Sequence, residues 1–171
     1  MDPQGKGAAP SLLFVCLGNI CRSPAAEGVM RSVVDNAGIT DYVQIDSAGT
    51  GDWHLGHLAD PRMRKAASAR GYDLVHKARQ IQVQDFERFS LIITMDQSNY
   101  KNVSKLAPSE SAVLRIKSFT SYCTRHKISE VPDPYYGSAK DFDHVLDILE
   151  DGCQGILQDI LNPLNKQIGP K

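Results

Sequence analysis

The sequence predicts a single α/β domain: a four-stranded parallel sheet with helices on both faces. Three observations predict it. Short apolar runs alternate with amphipathic helical stretches, an order that calls for parallel strands joined by right-handed crossovers. The 171 residues are 42% hydrophobic and 23% charged, the balance of one ordinary soluble domain. No repeat, linker or low-complexity block divides them. The domain is expected over residues 11–163, with a floppy extension at 1–10 and a short tail at 164–171.

Each element has a local cause. Residues 12–15 are an apolar run ended by a glycine-containing turn, which reads as a buried strand. Ser23 and Pro24 read as N-cap and first helical position. Behind them Ala25, Val29 and Val33 share a face with Ala26, Met30 and Val34, and Gly38 is the expected stop. Val43 and Ile45 alternate with polar neighbours and predict a second strand. Asp60-Pro61 opens another helix and Gly71 closes it. Residues 91–94 predict the third strand, 98–106 a helix and 113–116 a weaker fourth strand. A last helix is expected over 141–161, with Phe142, Val145, Leu146, Leu149, Cys153, Ile156, Leu157 and Ile160 as its apolar stripe. In such folds ligands collect at the carboxyl ends of the strands, and Cys16 lies at one.

Composition narrows the function. A net charge of -1 gives no bulk attraction to nucleic acid or to an anionic membrane. The longest apolar runs, such as Leu91-Ile92-Ile93, are far too short to span a bilayer. The first ten residues lack the apolar core of a secretory signal. The cysteines are Cys16, Cys21, Cys123 and Cys153, in a chain too well supplied with apolar residues to need disulfide staples. There is no C-x-x-C, and His54, His57, His76, His126 and His144 do not pair at metal-ligand spacing. A reducing, cytoplasmic setting with no cofactor and no metal is expected.

The chemistry concentrates in Val15-Cys16-Leu17-Gly18-Asn19-Ile20-Cys21-Arg22-Ser23-Pro24. Thiol-based phosphate hydrolysis needs a thiolate at pH 7, although a free cysteine titrates at about 8.5. A turn through Leu17, Gly18, Asn19, Ile20 and Cys21 into a helix start points backbone N–H groups at one spot, where an anion is stabilised. Gly18 permits positive φ and Asn19 tolerates it. Arg22 offers a planar, permanently charged fork to phosphate oxygens. Ser23 is placed to donate to the Cys16 sulfur when it leaves. The pattern C-x5-R-[ST] is expected about 0.02 times by chance in a chain of this composition. The bland alternative makes Cys16 a small buried hydrophobe and Arg22 a surface charge. Asp133, stiffened by Pro132 and Pro134, is the candidate proton donor, with Tyr135 and Tyr136 beside it as walls for a flat ring. Asp-Pro is also a common turn, and the single tryptophan, Trp53, reads equally as core or pocket wall.

The loop, together with Asp133-Pro134-Tyr135-Tyr136-Gly137, resembles the two signatures of the low-molecular-weight protein tyrosine phosphatases. The likeness continues in Ile45-Asp46-Ser47-Ala48-Gly49-Thr50, Ala78-Arg79-Gln80-Ile81 and Met95-Asp96-Gln97-Ser98-Asn99, spanning about residues 12–161. The resemblance implies that Cys16 is a nucleophile forming a phosphocysteine without metal, that Arg22 binds the phosphoryl oxygens and that Asp133 is general acid and then base. It implies that Asn19, Ser47 and His76 hold the loop in shape and that Asp96 steadies the arginine. It implies that Cys21 forms a reversible disulfide with the nucleophile. Cys123 and Cys153 match nothing catalytic. Phosphotyrosine proteins or peptides would be the substrates and inorganic phosphate the product and inhibitor. Oligomeric state is left open, as is phosphorylation of Tyr135 or Tyr136.

Three rival readings remain. An arsenate reductase on this scaffold needs a further cysteine pair beyond the third strand, and none lies between Met95 and Ser121. Protein-arginine phosphatases carry threonine where Ile20 stands. A non-catalytic phosphopeptide-binding module would lack nucleophile or acid, whereas Cys16, Arg22, Ser23 and Asp133 are all present.

Overall fold

A computed structural model describes residues 9–167, so residues 1–8 of the expected extension and 168–171 of the expected tail lie outside the described residues, while 164–167 continue the last helix instead of starting a tail. The strands are β1 (Ser11–Cys16), β2 (Gln44–Gly49), β3 (Leu91–Thr94) and β4 (Ile116–Ser118). They form one all-parallel sheet in the order β2-β1-β3-β4. The helices are α1 (Arg22–Asn36), α2 (Pro61–Ala69), α3 (Asp85–Arg88), α4 (Gln97–Leu106), α5 (Glu110–Val113) and α6 (Ala139–Gln167). No described helix is long and apolar enough to cross a membrane.

The central strand β1 is buried throughout, and its residues alternate between two cores. Leu12, Phe14 and Cys16 join the core containing the apolar faces of α1, α2 and α6; Leu13 and Val15 join the core beneath α3 and α4. Burial on both faces explains why the strand reads as a continuous apolar run. The whole stripe expected on the last helix, including Cys153, is buried in the first core. Burying a side chain such as Phe142 contributes about 2–3 kcal/mol.

Strand order reverses between β1 and β3, so a crevice opens beyond their carboxyl ends. Cys16 pairs with Gly49 at that edge, and Thr94 ends β3 beside Val15. This is the position where the parallel topology collects a ligand.

Local signals placed α2 and β3 well. Asp60 caps α2 by accepting from Arg62 N at 2.8 Å, and Gly71 follows its end at φ 85°. Gly38 likewise follows α1 at φ 70°. Four expectations are corrected. The helix after the loop begins at Arg22 with Cys21 as its cap residue, so Ser23 and Pro24 lie inside the first turn. Ser23 caps nothing because its hydroxyl is committed to Cys16 and Asn19. The second strand starts after Val43 and runs on to Gly49, since Ser47 and Ala48 are enclosed and show no polar alternation. The fourth strand begins at Ile116; Val113 instead ends α5, whose N-terminus Ser109 caps through Ala112 N at 3.2 Å. The last helix extends beyond the expected 141–161 at both ends, to Ala139–Gln167. The short α3 was not foreseen, being too brief to show a helical period.

Candidate active site

The loop after β1 wraps over the end of β2. Leu17 O accepts from Gly51 N at 2.9 Å and Cys16 O accepts from Thr50 N at 2.9 Å. Gly49 allows this approach. A Cβ there would lie 2.8 Å from Leu17 O, closer than real side chains come, and a tight 3.1 Å from Asn19 N. Asn19 is the one described non-glycine residue with positive φ, at 55°. That left-handed conformation costs a non-glycine residue about 1–2 kcal/mol, and here it is held by side-chain bonds.

Those bonds radiate from the Asn19 amide. Nδ2 donates to Ser23 Oγ at 2.8 Å and to Ser47 Oγ at 3.1 Å. Oδ1 accepts from Arg79 N at 3.0 Å and lies 2.9 Å from His76 Nε2. Ser23 Oγ lies 3.0 Å from Cys16 Sγ. Ser23 Oγ accepts from Asn19, and its own proton has two acceptors in reach, the sulfur at 3.0 Å and Ala48 O at 3.4 Å. The expected support from Asn19, Ser47 and His76 is therefore assembled in one network.

Arg22 is only 3% exposed. Its Nη1 donates to Asp96 Oδ2 at 2.7 Å and to Val131 O at 3.1 Å. Burial opposes its charge, but the Cys16 sulfur, Asp96 and Asp133 together push its pKa further up. Arg22 Nη2 lies 3.5 Å from Asp133 Oδ2. Asp96 also caps α4 by accepting from Asn99 N at 2.7 Å, so its two sequence readings hold together. The backbone bond from Val131 N to Met95 O, 2.8 Å, brings the Asp133 loop against the end of β3.

Cys16, Arg22 and Asp133 share a cavity of about 420 Å3 with Trp53, Tyr135 and Tyr136. Cys16 is 3% exposed at its depth, while Tyr136 is 97% exposed at its rim. The two tyrosine rings meet edge to face, with centroids 5.0 Å apart. The Arg62 guanidinium stands 5.3 Å from the Tyr135 ring centroid and is itself held by Asp60 at 2.8 and 3.0 Å. Cys21 lines the same cavity. Burial above all, then the Asp60 charge, pushes its thiol well above the ordinary range.

The sequence reading missed a layer behind the loop. His76 Nδ1 lies 3.4 Å from both Glu27 Oε1 and Asp46 Oδ1. Asp46 is tied to Arg79, which also binds Asp85. Glu27 stands on the buried face of α1, and Oε1 has no hydrogen-bond partner among the described residues. Burial raises the Glu27 carboxyl to about 7 and lowers His76, so both are driven toward their uncharged forms. The only sequence signal was a glutamate among the apolar positions of α1. The pH consequence has a definite sign. Folded Glu27 keeps its proton up to about 7, whereas an unfolded glutamate keeps it only to the ordinary 4.5. At Glu27 the folded state binds more protons between these values, so its contribution to stability falls as pH rises through that window and then levels, while the lowered His76 contributes in the opposite sense. Glu27→Gln is expected to remove at most about 3 kcal/mol of this change. Urea unfolding from pH 4.5 to 8 measures it, and an unaltered slope in the variant rules Glu27 out as its source.

A doubly wound sheet that ends one strand in a thiol, with a buried arginine and a carboxylate over the same cavity, has the parts of a phosphatase site. The chain belongs to the low molecular weight phosphotyrosine protein phosphatase family, whose model matches residues 11–167. It is 42% identical to a low molecular weight protein-tyrosine-phosphatase of Streptomyces coelicolor, over 84% of this chain and 89% of that protein. It is 40% identical to the low molecular weight phosphotyrosine protein phosphatase of Schizosaccharomyces pombe, over 87% and 96% respectively. A crystal structure of a protein tyrosine phosphatase from Entamoeba histolytica superposes with a TM-score of 0.88 at 44% identity, covering 91% of this chain and 99% of that one. The protein is accordingly a phosphatase with Cys16 present at the nucleophile position.

Proposed function

We propose that the enzyme hydrolyses phosphotyrosine in proteins or peptides by two in-line displacements on Cys16. In the first, the Cys16 sulfur bonds to phosphorus as the bond from phosphorus to the phenolic oxygen breaks, and Asp133 gives that oxygen its proton. In the second, water attacks the phosphocysteine, Asp133 takes a proton from it, and the phosphorus–sulfur bond breaks to release inorganic phosphate. Arg22 holds two phosphoryl oxygens throughout, and the proton of Ser23 eases departure of the sulfur. The amides of residues 17–22 receive the remaining oxygens. Support for this comes from α1, whose first turn has no side-chain cap and leaves its N–H groups available to an anion.

The observation that carries the reading is the meeting of Cys16, Arg22 and Asp133 around one cavity, with Ser23 bonded to the sulfur from behind. Trp53, Tyr135 and Tyr136 supply the slot for the phenyl ring. The test is rapid quenching of the enzyme with an aryl phosphate. Phosphate on Cys16 in the trapped protein is the expected result. Steady release of phosphate with no trapped phosphocysteine overturns the covalent route.

Cys21 completes the proposal as the partner that captures oxidised Cys16 in a disulfide, which forestalls irreversible oxidation in a cytoplasmic setting. Four free cysteines among the described residues are in keeping with that compartment. Peroxide treatment is expected to leave wild-type activity recoverable by thiol, whereas Cys21→Ser loses recovery. Equal recovery of the two proteins removes Cys21 from this role.

A further inference from the structure

Gly51 has no conformational reason to be glycine. The described glycines with positive φ are Gly38, Gly56 and Gly71, so an alanine at 51 meets no backbone strain. Trp53 supplies the reason instead. A Cβ on Gly51 would fall inside the contact radius of Cζ3 and Cε3 of the indole and 2.8 Å from Cη2. The ring therefore lies on the bare Cα of Gly51. Elsewhere it is open to solvent, with 67% of the residue exposed. The seat is also tied to the catalytic loop, because Gly51 N donates to Leu17 O at 2.9 Å.

We infer that Gly51 is a positioning residue for substrate selection: its missing side chain seats Trp53 at a set height over the phosphate loop, where the indole receives the aromatic ring of the substrate. This rests on the phosphatase reading above and adds to it the residue that sets one wall of the slot. Leu17 fixes the seat relative to the loop that grips phosphate. The distance from phosphate to ring wall is thereby defined by two neighbouring backbone bonds rather than by the exposed side chains of the rim. Small alkyl phosphate esters and acyl phosphates do not reach the indole and gain nothing from it.

The experiment compares Gly51→Ala, Trp53→Ala and the double variant on phosphotyrosine, on acetyl phosphate and with inorganic phosphate as inhibitor. Gly51→Ala is expected to raise KM for phosphotyrosine about three- to tenfold, the worth of one aromatic contact, with kcat little changed. Acetyl phosphate kinetics and inhibition by inorganic phosphate stay at wild-type values. In the Trp53→Ala background the second substitution adds nothing, since its effect runs through the indole. Trp53 is the one tryptophan of the chain, so its emission reports the ring directly and shifts in Gly51→Ala. Unchanged emission and KM overturn the inference. An effect that persists without Trp53, or that weakens phosphate inhibition, assigns Gly51 to the loop and overturns it as well. If the wild type releases no phosphate from any of these esters, the phosphatase reading itself has failed, and the two failures are told apart.

Discussion

Cys16→Ser is expected to lower kcat for aryl phosphates by on the order of 10^4-fold or more, with oxyanion binding retained. The hydroxyl is far less acidic than the thiol and a poorer nucleophile toward phosphorus. The groups that hold the oxyanion are not altered. Arg22 keeps its bonds to Asp96 and Val131, and the loop keeps its bonds to Thr50 and Gly51. Asn19 still donates to Ser23, so the turn with positive φ keeps its support. Calorimetric titration with vanadate or phosphate checks the binding half of the prediction, and phosphate release checks the catalytic half. Turnover within tenfold of wild type in a Cys16→Ser preparation free of wild-type enzyme would show that the Cys16 sulfur is not the nucleophile.

Asp133→Ala is expected to cost on the order of 10^2- to 10^4-fold in kcat for phenyl phosphates with basic leaving groups. The loss shrinks as the phenol becomes more acidic, because a stable phenolate needs no proton. Geometry supports that role. Asp133 reaches the same cavity as Cys16, and its side chain is 44% exposed, open to an incoming ester. Its position is set by the bond from Tyr135 N to Oδ1, 3.1 Å, and by Arg22 Nη2 at 3.5 Å from Oδ2. A series of substituted phenyl phosphates measures the dependence on leaving group. Loss of equal size across the series would remove Asp133 as the acid.

Much of the site was legible because its parts are neighbours in the chain. Cys16, Arg22 and Ser23 are bound to one another by a single turn, and the strand before it and helix after it are signalled within a few residues. The cap at Asp60 and the stop at Gly71 are equally local, which is why α2 was placed with both ends nearly right. The same logic failed where a residue had a second use. Ser23 matches a cap by type, yet its hydroxyl serves the sulfur, and the helix starts earlier. Ser109 matches a cap and acts as one, which turned an expected strand at 113 into α5. Asp133 was the candidate proton donor on a stiff Asp-Pro turn, a signal that such turns also give by themselves, and the resemblance strengthened it.

Of the layer behind the loop only His76 was legible, and that through the resemblance. Glu27, Asp46 and His76 lie on α1, on β2 and in the segment after α2. Nothing in their local sequence links them, and only the packing of α1 over β2 brings their polar atoms together. Gly51 has the same character, since its neighbour Trp53 gave no sign of which way the indole would turn.

By itself the sequence determined the order of chemical groups in the loop, the alternation of strands with helices and the burial of β1, since each depends on interactions within one or two turns of chain. Tertiary structure alone decided that Arg22 meets Asp96 and Asp133, that Asn19 meets His76 and that Trp53 rests on Gly51. Such meetings are set by which surfaces are buried against which. That is a property of the whole packed sheet and its helices, and no short stretch of residues carries it.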